Sequence, residues 1–136
     1  MEVQEFLTEF IHWVKKQREI LAVVLVGSYA RGTAKPDSDI DLVIITNDPK
    51  AYLDNGDWMK IFGEIREIKN EDFKFVQARR VFYQNGLEVE YGITTPEWVN
   101  TNPVDLGTKK VITAGAKILY DKDGVLKSLF NVLGIK

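Results

Sequence analysis

Hydrophobic residues near the start of the chain recur every three or four positions. They are Val3, Phe6, Leu7, Phe10, Ile11 and Val14. This spacing predicts an amphipathic helix over residues 3 to about 18. A continuous apolar run, Ile20–Val26, follows and stops at Gly27, which is typical of a buried β-strand. A second strand of the same kind is predicted over residues 39–45 and ends near Thr46. The pattern therefore indicates a helix that packs against a sheet.

The middle of the chain carries the pattern of an antiparallel hairpin. Residues 76–84 and 87–93 have the alternation of strands, and the Asn-Gly dipeptide between them is a strong signal for a hairpin turn. Successive side chains of a strand point to opposite faces, so Glu88 and Glu90 share one face and their apolar neighbours share the other.

Weaker patterns predict the remaining elements. They are a loop or short helix reaching about residue 57, a short helix at 58–62, a strand at 64–69, a helix at 107–114 and a strand at 117–120. We expect Asp123 to cap a final helix, whose apolar face consists of Val125, Leu126, Leu129, Phe130 and Leu133. The chain shows no internal repeat, linker or low-complexity segment, so we expect one domain spanning residues 1–136.

Composition excludes several classes of protein. The chain has 136 residues, of which 45% are hydrophobic and 28% charged, as in an ordinary globular domain. No apolar run approaches the ~18 residues of a membrane span, and the first residues are acidic rather than basic as in a signal peptide, so we expect a cytoplasmic protein without a membrane partner. The absence of cysteine excludes disulfides, thiol catalysis and cysteine-zinc sites. A net charge of −2 gives no general attraction to nucleic acid, so we expect no nucleic-acid partner.

The segment that follows the first predicted strand combines an anion site with a metal site. Ser28, after Gly27, is a good helix N-cap, and a strand–turn–helix junction directs free N–H groups and the positive end of a helix dipole towards one point. Asp39 and Asp41 project from the same face of the next strand, about 6.6 Å apart along it. Two carboxylates so placed repel each other unless a cation lies between them, and Mg²⁺ prefers carboxylates together with substrate phosphates.

The order of these residues resembles a known family. Gly27-Ser28, then Gly32, then a Ser-Asp-Ile-Asp stretch at 38–41 before an apolar strand, resembles the nucleotidyltransferase superfamily headed by DNA polymerase beta, especially its small bacterial members and the aminoglycoside adenylyltransferases. The resemblance is strongest over residues 21–46 and usable as far as 93. It implies an α/β (α+β) fold, in which helices flank one mixed sheet. It also implies transfer of a nucleoside monophosphate, with AMP from ATP expected, to a hydroxyl group with release of pyrophosphate.

The same resemblance assigns roles to individual residues. It implies that Gly27 and Ser28 hold the β- and γ-phosphates of the nucleotide and that Arg31 neutralises phosphate charge. Asp39 and Asp41 would be catalytic ligands of Mg²⁺, for which two ions are expected.

The family pattern also requires a third carboxylate on a later strand. Glu90 is favoured as this catalytic metal ligand, because apolar Val89 and Tyr91 flank it as in the family, and Glu88 is the alternative. It would complete the second metal site or take the proton of the acceptor hydroxyl. Many relatives have Asp here, and Glu reaches further by one methylene.

Partners beyond the nucleoside triphosphate are less defined. The acceptor is unknown and is a small molecule or a protein. Aminoglycoside-modifying relatives carry a second, helical domain, so a homodimer or a helical partner protein would supply a missing wall of the acceptor cleft. Two alternatives to a free-standing enzyme are the antitoxin subunit of a toxin–antitoxin pair, which binds and in one version adenylylates a helical ribonuclease, and a nucleotide-binding module without catalysis.

Several other conspicuous residues are assigned ordinary roles. Of Arg79 and Arg80, which alternate across a strand, at most one can face the site. We interpret Ser38 as a turn residue that holds Asp39 in place. His12 is assigned a structural or surface role, and the three tryptophans are assigned to packing.

Overall fold

A computed structural model describes residues 2–135, which form a six-stranded mixed sheet with helices on both faces. The strands are β1 Ile20–Val26, β2 Ile40–Thr46, β3 Ile65–Asp72, β4 Gln77–Tyr83, β5 Glu88–Thr94 and β6 Ala116–Asp121. The helices in this part of the chain are α1 Val3–Val14, α2 Ser28–Arg31, α3 Pro49–Leu53, α4 Leu106–Thr113 and α5 Val125–Leu133, with 3₁₀ helices at Asp57–Phe62 and Pro96–Val99. No helix within residues 2–135 is both long enough and apolar enough to cross a membrane.

The order of strands across the sheet is β3-β4-β5-β2-β1-β6. β2 and β5 are neighbours and run parallel, whereas the other pairs are antiparallel. The parallel pair places the first residues of β2 and β5 and the last residues of β1 at the same edge. This is the α/β (α+β) architecture expected from the sequence, with one mixed sheet flanked by helices.

One face of the sheet is closed by α1. Phe6 and Phe10 of this helix are fully buried and lie against Phe62 and Tyr91, with ring centroids 5.6 to 6.4 Å apart. The hydroxyl of Tyr91 lies 2.8 Å from that of Tyr83, so the buried phenols pair with each other. We call this side, where the aromatic core lies, the α1 face.

The opposite face is covered only in part. α4, α5 and the 3₁₀ helix Pro96–Val99 pack against the ends of the strands that carry Ala22, Val24, Val43 and Ile45. We call this side the α4/α5 face. Beyond Val43, at the edge where β2 and β5 begin, polar side chains replace the apolar cover.

The structure corrects three details of the predicted elements. α1 ends at Val14, because the N–H groups of Lys16 and Gln17 donate to carbonyls three residues back, those of Trp13 and Val14, in a closing turn. Gly27 rather than Ser28 occupies the N-cap position of α2, since Ser28 is already helical.

The third correction concerns α5. Gly124 precedes this helix, and the carboxylate that accepts from its first free N–H groups, those of Leu126 and Lys127, belongs to Asp121 and not to Asp123.

The hairpin between β4 and β5 forms as predicted, but its loop has three residues instead of two. Tyr83 donates its N–H to the carbonyl of Leu87, and Gly86, at φ 95°, donates back to Tyr83. A three-residue loop with a left-handed glycine at its end is a common hairpin connection. The extra residue changes the pairing register by one position, which decides which arginine of β4 faces the site.

Candidate active site

Four residues in successive strands form a row across the sheet. Val26 of β1 pairs with Asp41 of β2, Asp41 pairs with Glu90 of β5, and Glu90 pairs with Arg80 of β4. Register partners point to the same face of a sheet, so the two carboxylates and the guanidinium lie side by side on the α4/α5 face. Asp39 lies two residues before Asp41 and points to that same side.

The three predicted carboxylates converge. One carboxylate oxygen from each of Asp39, Asp41 and Glu90 lies within 4.8 Å of the other two. Oδ1 of Asp41 is buried and has no hydrogen-bond partner in the described structure. A buried acceptor without a partner is costly, and clustered carboxylate oxygens are the ligands that Mg²⁺ prefers. The residues present therefore fit a divalent cation.

The electrostatics of the cluster agree with this interpretation. Burial raises the pKa of Asp41 to about 8, and the neighbouring Asp39 and Glu90 carboxylates contribute to the increase. Burial also raises the pKa of Glu90, although the guanidinium of Arg80 opposes this. A bound cation would reverse both shifts, because it stabilises the ionised carboxylates.

Glu88 and Glu90 have different surroundings. Glu90 is the direct register partner of Asp41, and its carboxylate belongs to the converging set. The Glu88 carboxylate instead accepts a hydrogen bond of 2.7 Å from Nη1 of Arg80. The structure thus places Glu90, which the sequence favoured, beside both aspartates and turns Glu88 towards the arginine.

Arg80 has the most ionic contacts of any residue in the site. Its guanidinium lies within 4 Å of four carboxylates, those of Asp39, Glu71, Glu88 and Glu90. Arg79 points the other way, 3.9 Å from Asp72. The expectation that at most one of the two arginines faces the site is therefore met, by Arg80. The choice of Arg80 over Arg79 depends on the hairpin register, which alternation along the strand does not determine.

The predicted phosphate turn lies against Asp41. Gly27 has φ 75° and ψ −159°, a conformation open to glycine, and a Cβ at this position would overlap Oδ2 of Asp41. Ser28 begins α2, and the N–H groups of a helix's first turn have no partner within the helix. Arg31 lies at the other end of α2, exposed, and its side chain packs on Gly115.

The loop between α2 and β2 is closed by Ser38. Its hydroxyl accepts from the N–H of Lys35, and its own N–H donates to the Lys35 carbonyl. These bonds confirm the turn role predicted for Ser38. They fix the backbone immediately before Asp39.

A cavity of about 330 Å³ opens next to the carboxylates. Asp41 and Glu90 belong to its lining, and most of the remaining lining is apolar: Val26, Val43, Phe73, Phe75, Val76, Ala78, Trp98 and Val111. The hairpin of β3 and β4 provides one wall of the cavity. The hydroxyl of Thr94 on β5 donates a hydrogen bond to the carbonyl of Phe75 in this hairpin and so holds the hairpin against β5. Lys74 and Asp105 also line the cavity, 4.0 Å apart. This size and lining are typical of a small ligand site.

Comparison with known proteins identifies related sequences. The model of the nucleotidyltransferase domain family matches residues 7–92. A protein of Methanocaldococcus jannaschii with the provisional name protein adenylyltransferase is 28% identical over 132 residues, which cover 93% of this chain and 77% of that protein. The matched region contains Gly27, Asp39, Asp41 and Glu90.

Solved structures agree on the fold. An aminoglycoside 6-adenyltransferase from Bacillus subtilis superimposes with a TM-score of 0.60 at 15% identity over 75% of this chain, and the chain spans 38% of that enzyme's length. A toxin–antitoxin structure determined with AMP-PNP aligns over 98% of the chain, but its TM-score is 0.49 and its identity 11%, which supports no argument about partners.

Proposed function

The chain belongs to the nucleotidyltransferase domain family, and we propose that it transfers AMP from ATP to a hydroxyl group of a small-molecule or protein acceptor, with release of pyrophosphate. The observation that carries this proposal is the convergence of Asp39, Asp41 and Glu90 beside the Gly27 turn. The choice of AMP is supported by the adenylyltransferase names of a sequence relative and a structural neighbour.

We infer that Asp39, Asp41 and Glu90 hold Mg²⁺, with two ions expected. When bound, Mg²⁺ would neutralise phosphate charge and polarise the phosphoryl oxygens that develop charge in the transition state. The support for this site is the set of carboxylate oxygens within 4.8 Å of one another and the buried, unpartnered Oδ1 of Asp41.

The remaining steps are assigned to this chain's own residues. Backbone N–H groups of Gly27 and Ser28, with the Ser28 hydroxyl, bind the β- and γ-phosphates, and Arg31 adds positive charge for the triphosphate. The acceptor oxygen forms a bond to the α-phosphorus while the bond from that phosphorus to the bridging oxygen breaks, so pyrophosphate leaves with the electron pair. The acceptor proton passes to Glu90, whose carboxylate lines the cavity beside Asp41.

The acceptor is placed in the cavity that Glu90 and Asp41 line. A base must lie within hydrogen-bond reach of the hydroxyl from which it takes the proton, and Glu90 lines this cavity. The apolar walls formed by residues such as Phe75 and Val111 fit a hydroxyl attached to an apolar or aromatic group better than a sugar with many hydroxyls.

The test is ATP turnover with Mg²⁺ and a panel of acceptors, with ATP labelled on the α-phosphate or the γ-phosphate in parallel. We expect the α-label to appear on an acceptor and the γ-label in pyrophosphate, and we expect Asp41→Asn to abolish both. Transfer of the γ-label to an acceptor would identify a kinase instead.

Two alternative roles stay predictions. ATP binding without turnover across the panel would favour the non-catalytic module. The antitoxin role requires a helical ribonuclease partner, so it would be supported by a stable complex with such a protein when the two are co-expressed from neighbouring genes.

A further inference from the structure

The guanidinium of Arg80 makes two short and two longer contacts with the four carboxylates around it. Nε lies 2.9 Å from Glu71, and Nη1 lies 2.7 Å from Glu88. The contacts with Asp39 and Glu90 are longer, at 3.3 Å each. The short contacts therefore go to the two glutamates outside the metal-ligand set, and the long contacts go to two members of that set.

We propose that Arg80 competes with the metal for Asp39 and Glu90, bridging these carboxylates when no metal is bound and remaining on Glu71 and Glu88 when a metal enters. This inference rests on the proposed metal site. A guanidinium and a divalent cation repel each other, so Asp39 and Glu90 cannot direct the same oxygens towards both at full strength. The contacts with Glu71 and Glu88 are short and charge-assisted, so they can retain the arginine after the longer pair is lost.

The neighbouring strands explain why the arginine stays nearby. Arg80 pairs with Glu90 on β5 and with Lys69 on β3. Glu88 and Glu71 lie two residues along from these partners, so they are its diagonal neighbours on the same face. The ammonium of Lys69 lies over the Phe82 ring at 5.4 Å, turned to another partner. Arg80 is therefore a positioning residue whose anchors are Glu71 and Glu88.

The test measures binding of Mn²⁺ alone, without nucleotide, by titration calorimetry and by loss of the free-ion signal in electron paramagnetic resonance. Arg80→Met removes the competing charge, so Mn²⁺ affinity is expected to rise about ten-fold. Arg79→Met makes the same change on the opposite face of the same strand and is expected to leave the affinity within about two-fold of wild type. Circular dichroism checks the folding of each variant. Should Arg80→Met fail to fold, Arg80→Gln keeps a donor for the glutamates and carries the same expectation.

A double-mutant cycle separates anchoring from simple charge. Glu88→Gln is expected to weaken Mn²⁺ binding about five-fold in the wild-type background. Arg80 loses one of its two short contacts in this variant, so its guanidinium interacts more strongly with Asp39 and Glu90. In the Arg80→Met background the same substitution should lower the Mn²⁺ affinity by no more than about two-fold, since Arg80, through which Glu88 acts, is absent.

Three outcomes would overturn the proposal: weaker or unchanged Mn²⁺ binding by Arg80→Met, an equal effect of Arg79→Met, or the same cost of Glu88→Gln in both backgrounds. The proposed function fails separately. Tighter Mn²⁺ binding by Arg80→Met in a protein that never transfers AMP would support the competition and reject the transferase. Absence of Mn²⁺ binding to every variant would reject the metal site and the competition together.

Discussion

The two faces of the central sheet use the same strands for opposite purposes. Leu42 and Tyr91 point to the α1 face and are buried in the aromatic core. Asp41 and Glu90, one residue earlier on the same strands, point to the α4/α5 face and converge on the candidate metal site. Because α4 and α5 leave this edge uncovered, the side chain of Glu90 keeps 19% of its surface exposed. A functional site can thus be built on a stable sheet by leaving one end of one face uncovered.

The two faces contribute differently to stability and to activity. The α1 face gains from apolar and aromatic burial. The acidic edge of the α4/α5 face, formed by Asp39, Asp41 and Glu90, loses stability through clustered like charges and an unpartnered buried oxygen. Substitutions on the first face should therefore unfold the protein, and substitutions at the acidic edge should inactivate it.

The largest effect is expected for Asp41→Asn on AMP transfer. The carboxylate at the centre of the row is replaced by a neutral amide, so transfer should fall by more than about 10³-fold, or about 4 kcal/mol of barrier. The measurement is α-label transfer at saturating Mg²⁺. Asp37→Asn, an exposed aspartate in the preceding loop, is the matched control and should retain activity. Full activity in Asp41→Asn would remove Asp41 from the site.

On the α1 face, Phe10→Ala should lower stability most. The ring is fully buried between other aromatic rings, and deleting it should cost about 3–4 kcal/mol of the free energy of unfolding. Urea unfolding gives the value, and Ile61→Ala, an apolar residue 58% exposed, should change it by less than about 0.5 kcal/mol. Mn²⁺ affinity of the folded fraction should not change. A loss of metal affinity in Phe10→Ala would show that the two faces are coupled.

Within the acidic edge, Glu90→Gln and Glu88→Gln should differ. Glu90 faces Asp41 in register, so its loss should lower transfer about 10²-fold. Glu88 contacts only the arginine side of the cluster, so at saturating Mg²⁺ its loss should cost less than about ten-fold. The same labelled assay measures both. A larger loss in Glu88→Gln would reverse the assignment of the third carboxylate.

The sequence predicted the local parts of this site better than their assembly. Apolar runs and the spacing of Asp39 and Asp41 depend on neighbouring residues, so β1, β2 and the shared face of the two aspartates could be predicted. The parallel pairing of β2 with β5 joins segments about fifty residues apart, and alternation within a strand does not determine it. The resemblance to a family supplied Glu90 in its place.

The position of Arg80 beside the carboxylates could not be predicted from the sequence, for a related reason. Side chains repeat every two residues along a strand, so a shift of one position in the hairpin register exchanges Arg79 and Arg80 between faces. The predicted strand ends left a two-residue turn, whereas the observed loop has three residues, and the pairing of Arg80 with Glu90 follows from that loop. The three-residue loop that ends at Gly86 therefore determines that Arg80, and not Arg79, faces the carboxylates.

The smallest effect concerns stability at the acidic edge without metal. Burial raises the pKa of Asp41 to about 8 from an ordinary value of 3.8, so the folded state binds a proton that the unfolded state releases. The stabilising contribution of that protonation is fully present below the pKa of the unfolded state and is lost as the pH rises towards and through about 8.

Between pH 5 and pH 8 in EDTA, the wild type should therefore lose at least about 1 kcal/mol more stability than Asp41→Asn, or about 3–5 °C in Tm. Thermal unfolding followed by circular dichroism gives this difference, with Asp123→Asn as the exposed control. Added Mg²⁺ should restore the wild type and leave Asp41→Asn unchanged, because only the carboxylate gains from the cation. If the wild type and Asp41→Asn lose stability in parallel, the acidic edge carries no electrostatic cost. The two faces then differ only in how completely helices cover them.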